Sequence, residues 1–196
     1  MVHIFDDILS ERNQNAIEGM LTDLEFDWHL QHETVSNGDE YMKKNPLVFD
    51  KFPSFHHILY KYGQGPTSDM CDVFKSILKM FSESTGIEVK EILRIRANLF
   101  TKAECHPDSY TIPHYDTYQV GVIDDKLLDH DFAVLIYYVN DSDGCTYIFD
   151  KDNSILKKIE PKKGRFILFH NCKHAGSFPR EHKLRMVINF NLKLNL

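Results

Sequence analysis

The chain has 196 residues, 42% of them apolar and 27% charged, which suits one folded domain with a sizeable core and excludes a disordered or collagen-like chain. Its 23 basic and 29 acidic residues give a formal charge of -6, and no run of Lys or Arg supplies the basic stripe that a nucleic-acid surface needs. No segment approaches the roughly 20 apolar residues of a membrane helix, and Met1 to Phe26 lacks the pattern of a signal peptide, so the expectation is a soluble cytoplasmic protein engaging neither nucleic acid nor membrane.

Val2 to Leu9 reads as an opening strand that ends at Ser10, an N-cap. Ala16, Ile17, Met20, Leu21 and Leu24 then recur at helical spacing and predict a helix over Ser10 to Glu25. Gly38, Pro46 and Pro53 punctuate a polar, aromatic segment read as loops with short strands. After Gly65-Pro66, the stripe Met70, Val73, Phe74, Ile77, Leu78 and Phe81 predicts a second helix, capped by Ser68 or Thr67 and stopped near Gly86. From Val89 the period becomes two: Leu93, Ile95, Ala97 and Leu99 alternate with Arg94, Arg96 and Asn98. Ala133 to Val139, Thr146 to Phe149, Arg165 to Phe169 and Met186 to Leu192 follow as strands, separated by turn-formers such as Asp141-Ser142-Asp143-Gly144 and Lys163-Gly164. Two helices followed by many short strands predict an α+β domain closing into a sandwich or jelly roll. Residues 1–88 are expected to supply helical support and entrance segments, and residues 89–196 the jelly-roll core. Cys71, Cys105, Cys145 and Cys172 form no CxxC pair and read as free thiols of a reducing compartment.

The chemistry concentrates in Tyr110-Thr-Ile-Pro-His114-Tyr-Asp116. On an extended segment positions i and i+2 point to one side, so an imidazole nitrogen and a carboxylate oxygen converge on one ion. His106-Pro-Asp108 has the same spacing, but only the first pair is followed by the right company: His174 opens His174-Ala-Gly just past a strand, and Arg185 begins the last strand. Two histidines and one carboxylate make a face that leaves three octahedral positions open, as oxygen-activating Fe(II) requires. His170 is the rival to His174, which is preferred because the Ala-Gly turn follows it. An Arg facing the interior of a jelly roll calls for a carboxylate partner.

The ordered set His114-Tyr-Asp116, Ile136-Tyr-Tyr138-Val-Asn140, Asp143-Gly-Cys-Thr146, Ile159-Glu-Pro161-Lys-Lys-Gly164-Arg, His174-Ala-Gly and Arg185 resembles the Fe(II)- and 2-oxoglutarate-dependent dioxygenases, specifically the prolyl 4-hydroxylase-like branch, over about Leu93 to Leu192. The resemblance implies a double-stranded β-helix with the N-terminal helices packed on one sheet. It implies His114, Asp116 and His174 as iron ligands and Arg185 as the binder of the far carboxylate of 2-oxoglutarate. Tyr138 would assist Arg185, and Asn98 would lie near the co-substrate. Fe(II), 2-oxoglutarate and O2 would then yield succinate, carbon dioxide and a hydroxylated substrate, a peptidyl residue such as proline being the first expectation. A free amino acid or other small molecule is the alternative substrate; a cupin-like binding module or a catalytically dead relative acting as an interaction domain is the alternative protein. The sequence departs from the family's Gly-Gly-x-Thr at Asp143, which leaves the role of the first glycine open. Gln31 to Phe55 and Gly121 to Asp131 are expected to form the substrate entrance, while Lys157, Lys158, Lys162 and Lys163 read as a solvated hairpin. Cys105 and Cys172 are not counted as ligands, because a thiolate beside oxygen-activating iron is prone to oxidation.

Overall fold

The computed structural model describes residues 2–31, 45–48, 53–116 and 132–195. In chain order its elements are β1 (Val2–Phe5), α1 (Glu11–Leu21), β2 (His29–Gln31), β3 (Ser54–Lys61), β4 (Gly65–Pro66), α2 (Cys71–Thr85), β5 (Val89–Thr101), β6 (Ala133–Tyr138), β7 (Thr146–Phe149), β8 (Ile155–Ile159), β9 (Phe166–His170), β10 (His174–Gly176) and β11 (Leu184–Leu194). An eight-stranded sheet runs β1-β9-β6-β11-β5-β3-β2 with β4 on β3, and a three-stranded sheet runs β10-β7-β8. All these strand pairings are antiparallel.

Strand alternation decides which side chains meet the helices and which meet the smaller sheet. Met186, Ile188, Phe190 and Leu192 of β11 join Leu135 and Tyr137 of β6 and Phe166 and Leu168 of β9 in one core, and Ile17 and Leu21 of α1 and Phe74, Ile77 and Phe81 of α2 cover it. The opposite parity, Val187, Ile136, Tyr138 and Ile167, packs on Ile148 of β7 and Ile159 of β8. The larger sheet is thus a wall with helices outside and the jelly-roll interior inside, the α+β double-stranded β-helix expected.

The helix ends follow local hydrogen bonding. Ser10 caps α1 through its side chain, which accepts from the Asn13 N–H. The helix stops at Leu21 rather than Glu25 because the Thr22 hydroxyl donates to the Glu18 carbonyl and the chain turns, leaving Leu24 exposed. At α2 the Ser68 hydroxyl accepts from the Met70 N–H within a preceding turn, so the helix opens at Cys71; Gly86, at φ 72°, ends it in the left-handed conformation that suits glycine. Strands β3, β8 and β10 go beyond the sequence expectation. The β5 strand carries a bulge: Asn191 faces Arg94 while Leu192 faces Ile92, so Leu93 is the extra residue. Leu93 therefore joins the inter-sheet core, whereas Ile95 and Ala97 face the helices.

Candidate active site

The small sheet and the loop before residue 116 bring the two histidines together. The main chains of His114 and His174 pair as an isolated antiparallel bridge, with both N–H···O contacts at 3.0 Å, and the ring centroids lie 4.9 Å apart. Each ring is fixed by the carbonyl two residues before it: His114 Nδ1 lies 2.9 Å from the Ile112 oxygen and His174 Nδ1 lies 2.8 Å from the Cys172 oxygen. A carbonyl only accepts, so Nδ1 of each ring is the donor, which turns Nε2 of each toward the other ligands. His174 Nε2 is 3.9 Å from Asp116 Oδ2, and ligand atoms of His114, Asp116 and His174 all fall within 4.8 Å of one another.

Asp116 is buried and held from the larger sheet. Arg94 of β5 donates from Nη2 to Oδ1 at 2.8 Å, and Asn189 and Asn191 of β11 each donate from Nδ2 to Oδ2 at 2.8 Å. The Asn171 side chain clasps its backbone, accepting from the Asp116 N–H and donating to the Asp116 carbonyl, both at 3.1 Å. Burial alone would raise the Asp116 carboxyl pKa; Arg94, the two histidines and Asn191 outweigh it and hold the group ionised well below the usual carboxylate range. Burial, with His174 next, lowers the His114 pKa to about 4 and keeps its ring neutral. A carboxylate has about four acceptor positions, and three are taken here, so one remains for an ion. Two imidazoles presenting Nε2 and an ionised carboxylate on one face are the donor set of a divalent metal.

Arg185, at 3% exposure, reaches into the same interior from β11. Its Nε donates to the Gly144 carbonyl at 2.7 Å and its Nη2 to Thr146 Oγ1 at 2.9 Å, and its guanidinium lies 5.1 Å from the Phe100 ring centre. Tyr138 donates to the same Thr146 oxygen at 2.7 Å. No carboxylate among the described residues pairs with Arg185. A Cβ at Gly144 would sit 2.7 Å from Arg185 Cδ and 2.6 Å from the Ser177 carbonyl, so this glycine is required by close approach. Asp143, the departure from Gly-Gly-x-Thr, ties down the loop that leads into β11, its carboxylate accepting from the backbone N–H groups of Arg180, Glu181 and His182.

His114, Asp116, His174, Arg185 and Asn98 all line one cavity. Tyr138 does not; it stands behind Thr146, which does. His170 is exposed, and Asp108 pairs instead with Lys158 at 3.4 Å. Lys162 pairs with Asp6 at 3.6 Å and Lys163 with Glu18, so with Lys158 three of the four hairpin lysines have carboxylate partners. Of the expected entrance, Gln31 and Ser54 line the cavity, while residues 32–44, 49–52 and 117–131 lie outside the described residues. Sequence reasoning missed Thr146, Arg94, Arg96, Asn171, Asn189 and Asn191. The available signal was strand parity, which puts Arg94, Arg96 and Asn98 on one face of β5 and Arg185, Asn189 and Asn191 on one face of β11.

Residues 100–193 match the family model described as the 2OG-Fe(II) oxygenase superfamily. No curated protein matches the sequence. Among solved structures, an oxidoreductase of the 2OG-Fe(II) oxygenase family from Burkholderia pseudomallei superimposes with a TM-score of 0.65 at 12% identity, covering 98% of this chain and 84% of that one. A prolyl hydroxylase from Trichoplax adhaerens, in complex with a hypoxia inducible factor oxygen degradation domain peptide fragment, does so at 0.61 and 11% identity, covering 97% and 82%. The non-haem α-ketoglutarate-dependent epimerase SnoN from nogalamycin biosynthesis follows at 0.57 and 9%, covering 98% and 77%.

Proposed function

We propose that this chain, a member of the 2OG-Fe(II) oxygenase superfamily and a dioxygenase that uses Fe(II), 2-oxoglutarate and O2, hydroxylates a C–H bond of a peptidyl residue, proline being the first candidate. His114, Asp116 and His174 hold the metal through two Nε2 atoms and a carboxylate oxygen. Arg185 and the Thr146 hydroxyl bind the far carboxylate of 2-oxoglutarate, and Tyr138 is a positioning residue that holds Thr146. Iron held there would supply oxygen activation, one oxygen atom of O2 entering succinate as 2-oxoglutarate loses carbon dioxide and the other becoming the hydroxyl on the substrate carbon. The protein's part is to orient three ligands on one face, turn Nε2 of both histidines toward it, and hold the co-substrate in an interior walled by two sheets. The observation that carries this reading is Arg185, a buried cation without a carboxylate partner among the described residues, opening into the cavity that the triad lines.

The peptide half of the reading is supported by Tyr137-Tyr138-Val139-Asn140, Ile159-Glu160-Pro161 and His174-Ala175-Gly176, which resemble the prolyl-hydroxylase branch. A reducing, cytoplasmic setting fits the four free cysteines. Anaerobic addition of Fe(II) and 2-oxoglutarate should produce the weak visible charge-transfer band of the chelate, and Arg185→Ala should lose it at matched 2-oxoglutarate while keeping the metal. Succinate release should then rise with proline-containing peptides. Stimulation by methylated oligonucleotides alone would overturn the substrate, and absence of the band in the unmodified protein would overturn the assignment of the site.

A further inference from the structure

The inner face of the larger sheet continues past the metal cradle as an unusually polar shelf. Reading across strands in register, Asn189 of β11 faces Arg96 of β5, which faces Ile58 of β3; one step along, Val187 faces Asn98, which faces His56, which faces His29 of β2. Arg94 has Asp116. Arg96 has no carboxylate among the described residues: of its five N–H donors one bonds to the Gln31 side-chain oxygen, and its Nε is buried with no partner. His56 Nδ1, on the same face, is likewise buried without a partner.

Charge points the same way. The described cavity wall carries three arginines, Arg94, Arg96 and Arg185, and one carboxylate, Asp116. A bound Fe(II) and the 2-oxoglutarate dianion would cancel each other, so the described wall keeps a surplus of two positive charges. Burial, with the neighbouring Arg94 next, lowers the Arg96 pKa to about 10, and Asp116 offsets this only in part. A half-buried guanidinium with no carboxylate partner among the described residues is completed by a ligand anion, and its fork matches a carboxylate in bidentate geometry.

Building on the dioxygenase reading above, we infer that Arg96 is the recognition point for a carboxylate of the primary substrate, bound on the β5–β3 shelf beside the metal. The carboxylate has two sources, the α-carboxylate of a free amino acid or an acidic side chain next to the target residue of a peptide, and Arg96 treats both alike. The shelf adds Gln31, Ser54 and Asn98 as polar contacts around it.

The test uses protein loaded with Mn(II) and 2-oxoglutarate under argon, so that nothing turns over, and calorimetric titration with two matched pairs: L-proline against L-prolinamide, and acetyl-Ala-Pro-Glu-amide against acetyl-Ala-Pro-Gln-amide. At least one acid should bind tenfold or more tighter than its amide partner, and Arg96→Gln should abolish the preference while leaving 2-oxoglutarate affinity unchanged. Preference in the first pair alone assigns a free acid, and in the second alone an acidic peptide. Arg96→Lys, which keeps the charge and loses the fork, should retain part of it and serves if the Gln variant does not fold. Equal affinities within both pairs, no binding of either acid, or a preference that survives Arg96→Gln overturns the inference. A normal Fe(II)–2-oxoglutarate band alongside such a result would leave the dioxygenase reading standing, whereas loss of the band in the unmodified protein would remove both.

Discussion

Thr146→Val tests the co-substrate end of the site with the smallest change of shape. The Thr146 side chain is fully buried, and its oxygen already accepts from Tyr138 at 2.7 Å and from Arg185 at 2.9 Å. A hydroxyl has two acceptor lone pairs and one proton, so both acceptor positions are filled and the proton has to point elsewhere. Thr146 lines the cavity, so on the proposed function that proton is the donor available to the 2-oxoglutarate carboxylate. Valine preserves the volume and removes a hydrogen bond to a charged acceptor, about 1.5–3 kcal/mol, or roughly 10- to 150-fold in dissociation constant. Anaerobic titration of the Fe(II) protein with 2-oxoglutarate, read at the charge-transfer band, measures this directly, and Mn(II) affinity in the same variant should stay within about twofold. Unchanged 2-oxoglutarate affinity in a folded Thr146→Val protein would refute the hydrogen-bond accounting and leave Thr146 a support for Tyr138 only.

Asn191→Leu removes one of two donors to Asp116 Oδ2; Mn(II) binding followed by electron paramagnetic resonance should weaken about tenfold, the scale for loss of a group that orients a ligand, and an unchanged affinity would mean that Arg94 and Asn189 suffice. The metal-free protein should become easier to unfold in urea as the pH falls from about 6.5 to 4, because burial lowers both His56 and His114 to about 4 and the unfolded chain therefore binds more protons across that window. A midpoint flat from pH 7 to 4.5 would contradict this; below about 4 the depressed carboxyls Asp116 and Asp143 add their own loss. Phe81→Ala should cost about 3–5 kcal/mol in urea unfolding, since Phe81 is buried between Phe5 and Phe166 at ring separations of 5.3 and 5.0 Å and fastens α2 to the sheet. A loss under about 1 kcal/mol would place the fold's stability elsewhere.

The triad was legible because its signal is local: His114 and Asp116 share a side of an extended segment, and His174 is distinguished from His170 by the turn that follows it. The cradle was not, for a reason that lies in how strands are usually read. A strand alternating apolar and polar residues is by default half-buried, with the polar face in water. Along β5 and β11 that rule is inverted: the apolar parity faces the helices, and the polar parity, Arg94, Arg96, Arg185, Asn189 and Asn191, faces the jelly-roll interior. Nothing within either strand distinguishes the two arrangements, since the period is the same; only the helices that cover the apolar side decide it. The same ambiguity hid the position of Tyr138, whose parity places it between the sheets, behind Thr146 rather than beside the cavity. A polar interior is tolerated only where its groups satisfy one another. The two inward asparagines of β11 direct their Nδ2 donors to a single carboxylate, Asp116, on a loop outside both strands. The inverted strands and the His-x-Asp loop are thus one construction: without Asp116 the Nδ2 donors of Asn189 and Asn191 would lose their acceptor, and without these and Arg94 the ligand carboxylate would be buried unheld.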